Sequence, residues 1–418
     1  MTALSSRLLL TGILTVAALA GGATGPRQAV AAQVTRPTSL ARTRPSPLLA
    51  FTLHGDIYTM RADGSAQRRL TTYGLNSAAQ LSPRGRFIAY LSVPHGYQDS
   101  TGYGRAHNVW IVHVAGGSPT RITPTDPTRD RGGLSWASDG QHLAYYQGPD
   151  VVVYSLSTHV FTTVLRPGRS VNAPYNRDSA IAWSPDSRRI AVALPDIDAF
   201  SPHMLRVAIA RLDRPGASAL ITIRFPAGLL GHTDRPPGSF PTGAGLAWAP
   251  DDHHLVCGTT GNGAGGSLTG VWQVAQSGGT AHLLIGTPTY VRQHTSPRPP
   301  VRGATSFLYS PDHHLVALDP DAGLWVARAS NLRGHIIRLG IPVTGCVMAA
   351  YAWLADSSGL VYVETCTHVG GSPLIISSLF TVTLDGTPPR RLLTVANDDQ
   401  RQVQLSPTSG GRCVQCGS

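Results

Sequence analysis

Residues Ala180–Leu194 read AIAWSPDSRRIAVAL, and in this segment two apolar runs flank a short polar turn. Proline presets the backbone angle of a turn, and the aspartate after it can cap the following backbone amides. The sequence therefore predicts one strand over Ala180 to Trp183, a reversal at Ser184 to Ser187, and an antiparallel second strand over Arg189 to Leu194.

The same cassette recurs in variants along the chain. The further copies are Leu81-Ser82-Pro83-Arg84-Gly85, Trp136-Ala137-Ser138-Asp139-Gly140, Trp248-Ala249-Pro250-Asp251-Asp252, Tyr309-Ser310-Pro311-Asp312-His313, Trp353-Leu354-Ala355-Asp356-Ser357 and the shorter Leu405-Ser406-Pro407. Consecutive copies lie roughly 45 to 65 residues apart. Repetition of one antiparallel unit at this spacing is typical of a radial array of blades.

Each cassette is followed by a third strand with an aromatic residue, such as Asp56 to Met60 or Asn108 to Val112, and then by a fourth strand such as Arg69 to Thr72. The first blade lacks a first strand, which Val403 to Ser406 at the other end can supply. We therefore expect an all-β, single β-propeller of seven four-stranded blades over residues 48–407, closed by pairing of its N- and C-terminal strands. Six blades is the alternative, if Asp196 to Gly245 is an insertion.

These cassettes resemble the TolB-like repeats of β-propellers, whose pattern is a Trp-Ser-Pro-Asp-Gly turn, an Ile-Ala-Phe-like strand, an Ile-Tyr-Val-like strand and a terminal Leu-Thr. The resemblance covers about Leu48 to Pro407 and implies the fold. TolB itself has six blades and a separate N-terminal α/β domain, whereas seven cassettes here leave no room for that domain. The resemblance thus gives little support for a role in the Tol system.

The chain of 418 residues has 42% hydrophobic residues and a net charge of +11, with no Lys and a single Glu, Glu364. The hydrophobic fraction is large enough for a buried core, which argues against a disordered chain. The positive charge is carried by Arg. An Arg surplus can reflect genome composition, or it can suit bidentate recognition of carboxylates and phosphates.

The N-terminus has the pattern of a secretory signal, with Arg7 before the apolar run Leu8 to Ala20. We expect a signal peptide over residues 1–32, cleaved near 20 or 31, a leader over 33–47, and a Cys-containing tail over 408–418. The mature chain is then expected to be secreted or extracytoplasmic and soluble, without a transmembrane segment.

The sequence offers little evidence of catalysis. It has no Gly-x-Ser-x-Gly nucleophile elbow, and Asp186, Asp251 and Asp312 occupy equivalent turn positions, which favours a structural role for them. The pairs His253-His254 and His313-His314 also lie in turns, and we interpret them as solvated residues. No catalytic residue, metal ligand or cofactor is therefore predicted.

The five cysteines bear on redox state. Cys346 and Cys366 are almost equidistant from the turn near Asp356, so they can face each other across two strands, and we predict a disulfide between them. Cys413 and Cys416 are candidates for a small terminal disulfide or a tether. Cys257 is predicted to be a buried thiol.

The connections from strand four to the next strand one lie at the same end of a propeller as those from strand two to strand three, and the longest insertions fall there. The predicted ligand-binding residues on these loops are Arg129, Arg131, Arg166, Arg169, Tyr175, Arg177, His232, Arg235, Tyr290, Arg292 and His294, near Asp234, Arg298 and Arg302. Long loops on a rigid ring are common binding elements.

We expect a non-catalytic binding scaffold, monomeric, for a protein or an anionic polymer, and we expect no nucleic-acid partner. The alternative is a propeller enzyme, a lyase or hydrolase acting on an acidic saccharide or peptide. In that case Tyr175, His232, Tyr290 or His294 would transfer protons.

Overall fold

The computed structural model describes residues 47–94, 107–124, 131–166, 181–194, 204–225, 245–259, 267–289, 307–318, 324–331, 337–340, 346–354, 356–366, 375–397 and 403–405. The expected signal peptide, the tail and the leader up to residue 46 lie outside these residues. Within the described ranges, no helix is both long and apolar enough to cross a bilayer.

The described residues form strands grouped into seven sheets, the blades. Blade 1 contains β1 (Leu48–Leu53), β2 (Asp56–Arg61), β3 (Arg68–Arg69) and, from the other end of the chain, β29 (Val403–Leu405). Blade 2 contains β4 (Asn76–Leu81), β5 (Phe87–Ser92), β6 (Asn108–His113) and β7 (Thr120–Arg121). Blade 3 contains β8 (Arg131–Trp136), β9 (His142–Gln147), β10 (Asp150–Ser155) and β11 (Phe161–Leu165).

The second half of the ring has the same order of strands. Blade 4 contains β12 (Ile181–Trp183), β13 (Arg189–Leu194), β14 (Met204–Arg211) and β15 (Arg214–Arg224). Blade 5 contains β16 (Leu246–Trp248), β17 (His254–Thr259), β18 (Ser267–Ala275) and β20 (His282–Thr289), and the short β19 (Gly279–Thr280), between β18 and β20 in the chain, belongs to the sheet of blade 4. Blade 6 contains β21 (Phe307–Tyr309), β22 (Leu315–Leu318), β23 (Leu324–Arg328) and β24 (Ile337–Gly340), and blade 7 contains β25 (Cys346–Trp353), β26 (Gly359–Cys366), β27 (Ile375–Thr383) and β28 (Arg390–Asn397).

The protein is a seven-bladed β-propeller, as the cassettes predict. The six-blade alternative is wrong, because the divergent region contains β14 and β15, which pair in register from Met204 with Arg224 to Ala210 with Ser218. Strands one to four of each blade are numbered here from the inside of the ring outwards. We call the end with the Ser-Pro-Asp turns the turn face, and the opposite end, where strand four leads to the next blade, the loop face.

The ring is closed by strand pairing between the two ends of the propeller. β29 pairs antiparallel with β1, with Phe51 opposite Leu405 and Leu53 opposite Val403. Blade 1 therefore takes its first strand from the C-terminal end and its other three from the N-terminal end. This pairing removes the open edge that β1 would otherwise present to solvent.

Blades 4 and 5 are joined by an additional strand pair that the cassettes did not predict. β19 lies between β18 and β20 in the chain, but it pairs parallel with β15 of blade 4, with Ile223 opposite Gly279. The backbone N–H of Ala281 also donates to the carbonyl of Arg224 at 2.8 Å. This bridge covers part of the outer edge of blade 4.

The core lies mainly between neighbouring blades. One cluster brings Val207 and Ile223 of blade 4 against Trp248 and Trp272 of blade 5. Because each blade is packed on both sides, its middle strands bury successive residues, as in Val151–Val153 of β10. This burial explains why these strands appear as continuous apolar runs in the sequence.

Candidate functional site

Two of the eleven predicted ligand residues lie in the part of the chain that the structure describes. Arg166 follows β11 on the loop face and is exposed. Arg131 is instead the first residue of β8, is 1% exposed, and donates from Nη1 to the carbonyl of His107 at 3.2 Å. The predicted loop position is wrong for Arg131, because β8 extends through a bulge between Gly132 and Ser135 to begin earlier than expected.

The remaining predicted ligand residues lie outside the described residues. They are Arg129, Arg169, Tyr175, Arg177, His232, Arg235, Tyr290, Arg292 and His294, together with Asp234, Arg298 and Arg302. Their ligand-binding role stays a prediction.

On the loop face, the described residues contain a buried carboxylate, Asp56, at the start of β2. Its Oδ1 accepts hydrogen bonds from Thr71 Oγ1 at 2.9 Å, Tyr73 N at 2.7 Å, Gly74 N at 3.1 Å and Asn76 Nδ2 at 3.3 Å, and its Oδ2 pairs with the guanidinium of Arg69. One carboxylate therefore anchors the whole connection from blade 1 to blade 2. We call these six residues the Asp56 network.

The charge of Asp56 is retained in spite of its burial. Burial alone would raise the pKa of this carboxyl group, but the hydrogen bond from Gly74 N and those from Arg69 and Thr71 together hold the pKa below its usual value of 3.8. A buried ion is tolerated when its hydrogen-bonding capacity is filled in this way. Asp56 is thus an ionised structural anchor.

The Asp56 network explains the Leu-Thr that ends the repeat. Thr71 Oγ1 also accepts the backbone N–H of Ile57 at 2.9 Å, so its hydroxyl bonds to the first residues of strand three. In blade 2, Thr123 Oγ1 accepts the N–H of Val109 at 2.9 Å, next to the buried Asn108. The side chain of this threonine, which follows strand four, therefore holds the chain against the start of strand three. In blade 1, strand four is β3 (Arg68–Arg69), which is shorter than the predicted Arg69 to Thr72.

At the turn face, indole hydrogen bonds connect the inner strands of successive blades. Trp136 Nε1 donates to the carbonyl of Gln80 at 3.1 Å, Trp183 Nε1 to that of Ser135 at 3.0 Å, Trp248 Nε1 to that of Ala182 at 3.2 Å, and Trp353 Nε1 to that of Leu308 at 2.8 Å. In each case the acceptor is the residue directly before the first residue of the cassette in the previous blade. The Trp of the repeat is thus a bond between blades as well as a core residue.

The Ser-Pro-Asp turns are fixed by their own side chains. In blade 6, Ser310 Oγ donates to Asp312 Oδ1 at 2.6 Å and accepts the N–H of Leu315 at 2.9 Å. The residue after the aspartate has positive φ in each case, for example 59° at Ser187 and 61° at His313. Ser187 and Ser357 use this position to bond the preceding blade, through Asp139 N at 3.1 Å and Asp312 N at 3.2 Å.

A cavity of about 280 Å³ opens within the ring at the turn face. Its wall includes Trp136, Trp183, Trp248, Tyr309 and His313, from four consecutive blades. Burial raises the pKa of Tyr309 and lowers the pKa of His313, so both side chains are uncharged near neutral pH. This cavity has aromatic walls, and its described lining provides no charged group for an ionic ligand.

A group of charged and polar side chains joins blades 4 and 5 next to this cavity. Arg189 pairs with Asp252, donates from Nη1 to Gln276 Oε1 at 2.7 Å, and lies over the ring of Trp248 with 4.6 Å from Cζ to the ring centroid. A guanidinium stacked on an indole and paired with a carboxylate is held in one orientation. Arg189 thus contributes to the joint between these blades.

His253, His313 and His314 lie in the turns, as the sequence indicated, whereas His254 is the first residue of β17. His254 Nδ1 lies 2.6 Å from Asp251 Oδ2, and His253 and His314 are exposed. His313 is half-buried, and it also borders a second cavity, of about 560 Å³, between blades 5 and 6. These side chains do not form a cluster of three metal ligands in the described ranges.

Cys346 and Cys366 form a disulfide and lie directly opposite each other in the β25–β26 ladder. Cys257 is buried in β17, and burial raises the pKa of its thiol to about 12, which leaves it protonated and unreactive. Cys413 and Cys416 lie outside the described residues. The sulfur atoms of Cys346 and Cys366 lie near the carboxylate of Glu364.

Sequence reasoning missed the Asp56 network and the indole bonds between blades. The signal for the first was present, because Asp56, Asn108 and Asp150 recur at the start of strand three. The signal for the second was the recurrence of Trp before the turn, which was interpreted only as a marker of the repeat. Neither group was expected to have hydrogen-bond partners on another strand or blade.

No protein-family model and no curated protein sequence matches this chain. Among solved structures, it is similar to the β-propeller domain of the Trilobed protease from Pyrococcus furiosus, at 12% identity and a TM-score of 0.49, covering 81% of this chain and 86% of that one. It is also similar to a putative TolB from Agrobacterium tumefaciens, at 14% identity and a TM-score of 0.41, covering 71% and 87%. A third is oligogalacturonate lyase from Vibrio parahaemolyticus, at 12% identity and a TM-score of 0.49, covering 84% and 85%.

These neighbours include proteins whose names denote a protease, a lyase and TolB. At such low identity the similarity concerns the propeller fold alone. The β-propeller expected from the cassettes is confirmed by the seven blades of the structure.

Proposed function

We propose that this protein is a non-catalytic binding scaffold that holds an anionic ligand, either an acidic polymer or an acidic protein surface, on its loop face. The observation that supports the proposal is the direction of the described strands. β11 ends and β12 begins at the loop face, and the same holds for β15 with β16 and for β20 with β21. The described strands that flank segments 167–180, 226–244 and 290–306 therefore end and begin at this face of the ring.

Charge is distributed unevenly among these connections. Segments 167–180 and 290–306 together contain Arg169, Arg177, Arg292, Arg298 and Arg302, and their one acidic residue is Asp178. Arg166, exposed on the loop face, adds a further positive charge next to the first segment. Arginine forks match carboxylates and phosphates in a bidentate manner, which favours an anionic ligand.

The ring supplies a rigid support for such loops. The four indole bonds, the closure by β29 and the Asp56 network fix the ends of the inner strands. Binding loops on a fixed support lose less conformational entropy on binding, because the positions of their ends are already set. Export of the chain, which the N-terminal pattern predicts, is part of the same proposal, since acidic polymers are common outside the cytoplasm.

The test compares two variants with four charge reversals each, in binding to a carboxylate polymer such as poly-L-glutamate or a polyuronate. The loop-face variant carries Arg169→Glu, Arg177→Glu, Arg292→Glu and Arg298→Glu. The matched control carries Arg84→Glu, Arg86→Glu, Arg188→Glu and Arg214→Glu, all exposed at the turn face. We expect binding that weakens with salt, a loss of about tenfold or more in the loop-face variant, and little change in the control.

Equal losses in the two variants would contradict the proposal, because the attraction would then depend on net charge alone. Cleavage of the polyuronate by the unmodified protein would also contradict it and would favour the enzyme alternative. In that case Tyr175→Phe, His232→Gln, Tyr290→Phe and His294→Gln would identify the proton-transfer groups.

A further inference from the structure

The single Glu of the chain lies beside the disulfide. Cys346 is the first residue of β25 and Cys366 the last residue of β26, and Glu364 precedes Cys366 by two positions on the same strand. Because side chains alternate along a strand, Glu364 and Cys366 point to the same side of the sheet. One ligand atom from each of the three residues lies within 4.8 Å of the other two, and all three residues are half-buried.

Two sulfur atoms and a carboxylate are the donor types that zinc binds in proteins. Sulfur binds zinc as a thiolate, and in the disulfide each sulfur is bonded to the other and carries no such charge. Around a tetrahedral ion with ~2.3 Å bonds to sulfur and ~2.0 Å bonds to oxygen, the ligand atoms lie roughly 3 to 4 Å apart. The two sulfur atoms must move apart to reach this separation once the disulfide bond is broken, and an oxygen of Glu364 already lies within 4.8 Å of both.

We propose that reduction of the Cys346–Cys366 disulfide converts this group into a binding site for a zinc-like divalent cation, with Cys346, Cys366 and Glu364 as its protein ligands. A dithiol supplies the two electrons and two protons, breaks the sulfur–sulfur bond and leaves as its own disulfide. Binding of the cation then releases one proton from each thiol. The fourth position on the ion is left to water, since three protein ligands leave a tetrahedral ion one open site.

The strands hold the ligands in place once the covalent bond is broken. Cys366 is paired with Cys346 on one side and with Ile376 of β27 on the other, so its strand has neighbours in both directions. Beyond the disulfide, β25 and β26 remain paired from Val347 opposite Thr365 to Trp353 opposite Leu360. Reduction therefore removes one cross-link, and the strand pairing still keeps the two thiols opposite each other.

The site lies at the loop-face end of the two inner strands of blade 7. The proposal is independent of the proposed binding of an anionic ligand, because it rests on the three side chains and their spacing. The site is not among those predicted from the sequence, which indicates only a disulfide for these two cysteines.

The experiment uses Co²⁺ as a spectroscopic probe with the full chain carrying Cys413→Ser and Cys416→Ser, which removes the two tail thiols. The protein is compared before and after treatment with a phosphine, which reduces the disulfide and becomes a phosphine oxide whose oxygen comes from water. We expect no sulfur-to-Co²⁺ charge-transfer band in the oxidised protein. The reduced protein should show the band at one ion per chain, and Zn²⁺ should displace it.

Variants then test each ligand. Cys366→Ser should abolish the charge-transfer band or reduce it to that of a single thiolate. Loss of an outer-shell partner can already cost about 10- to 100-fold in metal affinity, so Glu364→Gln, which removes a direct ligand, should weaken Co²⁺ binding at least ~10-fold. Asp385→Asn, which alters an exposed carboxylate on the hairpin of the same blade, is the matched control and should bind as the parent does.

Three results would overturn the proposal. The first is a reduced protein that has native circular dichroism but no band. The second is unchanged affinity in Glu364→Gln or in a Cys346→Ser/Cys366→Ser variant. The third is loss of native circular dichroism on reduction, because the site requires the β25–β26 ladder to persist without the disulfide.

Discussion

The indole Nε1 of Trp353 donates a hydrogen bond of 2.8 Å to the backbone carbonyl of Leu308, across the joint between blades 6 and 7. Trp353 is 1% exposed and Leu308 is 2% exposed, so water cannot replace this donor. The same relationship joins Trp136, Trp183 and Trp248 to the blade before each of them. Buried carbonyl groups of the inner strands thus depend on indoles from the next repeat.

Trp353→Phe should lower the free energy of unfolding by about 1 to 3 kcal/mol, because the buried Leu308 carbonyl loses its indole donor while most of the ring volume is retained. Urea denaturation monitored by far-UV circular dichroism measures the change. Trp110→Phe is the control, since Trp110 is a half-buried residue of strand three that stacks on Tyr90. A Trp353→Phe protein as stable as the parent would show that the indole bond contributes no net stability.

Asp56→Asn should destabilise the protein by about 2 kcal/mol at pH 7, because hydrogen bonds to a charged acceptor are stronger than those to an amide and Arg69 loses its counter-ion. Asp213→Asn alters an exposed carboxylate paired with Arg211 in solvent, and it should leave stability almost unchanged. Chemical denaturation of both variants and the parent is the measurement. Similar losses in the two variants would contradict the role assigned to the Asp56 network.

The contribution of Asp56 should depend on pH in a defined direction. Its pKa in the folded protein lies below the usual 3.8, so the folded state binds the proton less readily than the unfolded chain does. The stabilisation is therefore complete above about pH 4 to 5 and is lost as the pH falls through the lowered pKa. The difference in unfolding free energy between the parent and Asp56→Asn should shrink between pH 6 and about pH 2. A difference that stays constant over this range would be inconsistent with an ionised Asp56.

His142 provides a second pH test, of opposite sign. The hydrogen bond with Asp139 is the largest cause that raises the pKa of His142 above 6.5, and Nδ1 lies 2.6 Å from Asp139 Oδ2. A raised pKa stabilises the folded state below about pH 6.5, and this contribution disappears as the pH rises through the raised value. His142→Gln should therefore cost more stability at pH 5 than at pH 9. In an Asp139→Asn background this pH dependence should vanish, and its persistence there would exclude Asp139 as the cause.

Removal of residues 403–418 should destabilise the whole ring, because blade 1 loses the strand that pairs with β1. We expect a lower thermal midpoint and increased self-association, since β1 then presents an unpaired edge. Removal of residues 408–418 alone leaves β29 intact and is the control, with an expected midpoint near that of the parent. Equal midpoints for the two truncations would show that closure by β29 contributes little to stability.

The blades could be predicted from the sequence because one local pattern encodes each of them. The turn Ser184–Ser187 and the run Arg189 to Leu194 contain their own hydrogen-bonding and burial signals, and β13 has the bounds that the pattern predicted. Pairing of β29 with β1 followed from counting strands at the two ends. Repetition then converts weak local signals into a strong prediction of the fold.

The side-chain environment could not be predicted in the same way. Arg131 was expected on a loop, and it is buried because a bulge lets β8 begin earlier, which no local residue pattern indicates. Asp56 resembles an ordinary residue at a strand start until the connection through Thr71 and Asn76 folds over it. Both outcomes depend on contacts with residues distant along the chain, and most predicted ligand residues lie beyond the described ranges.

The bonds between blades at the turn face also bear on how such a protein can change over evolutionary time. The indoles, the Ser-Pro-Asp turns and the Ser187 and Ser357 hydroxyls join the blades at the turn face. Apart from the connection that the Asp56 network anchors, the connections at the opposite face can therefore be lengthened, shortened or recharged with less effect on how the ring holds together. New binding specificity can then be selected in the loops of one face while the hydrogen bonds between blades at the other face are conserved.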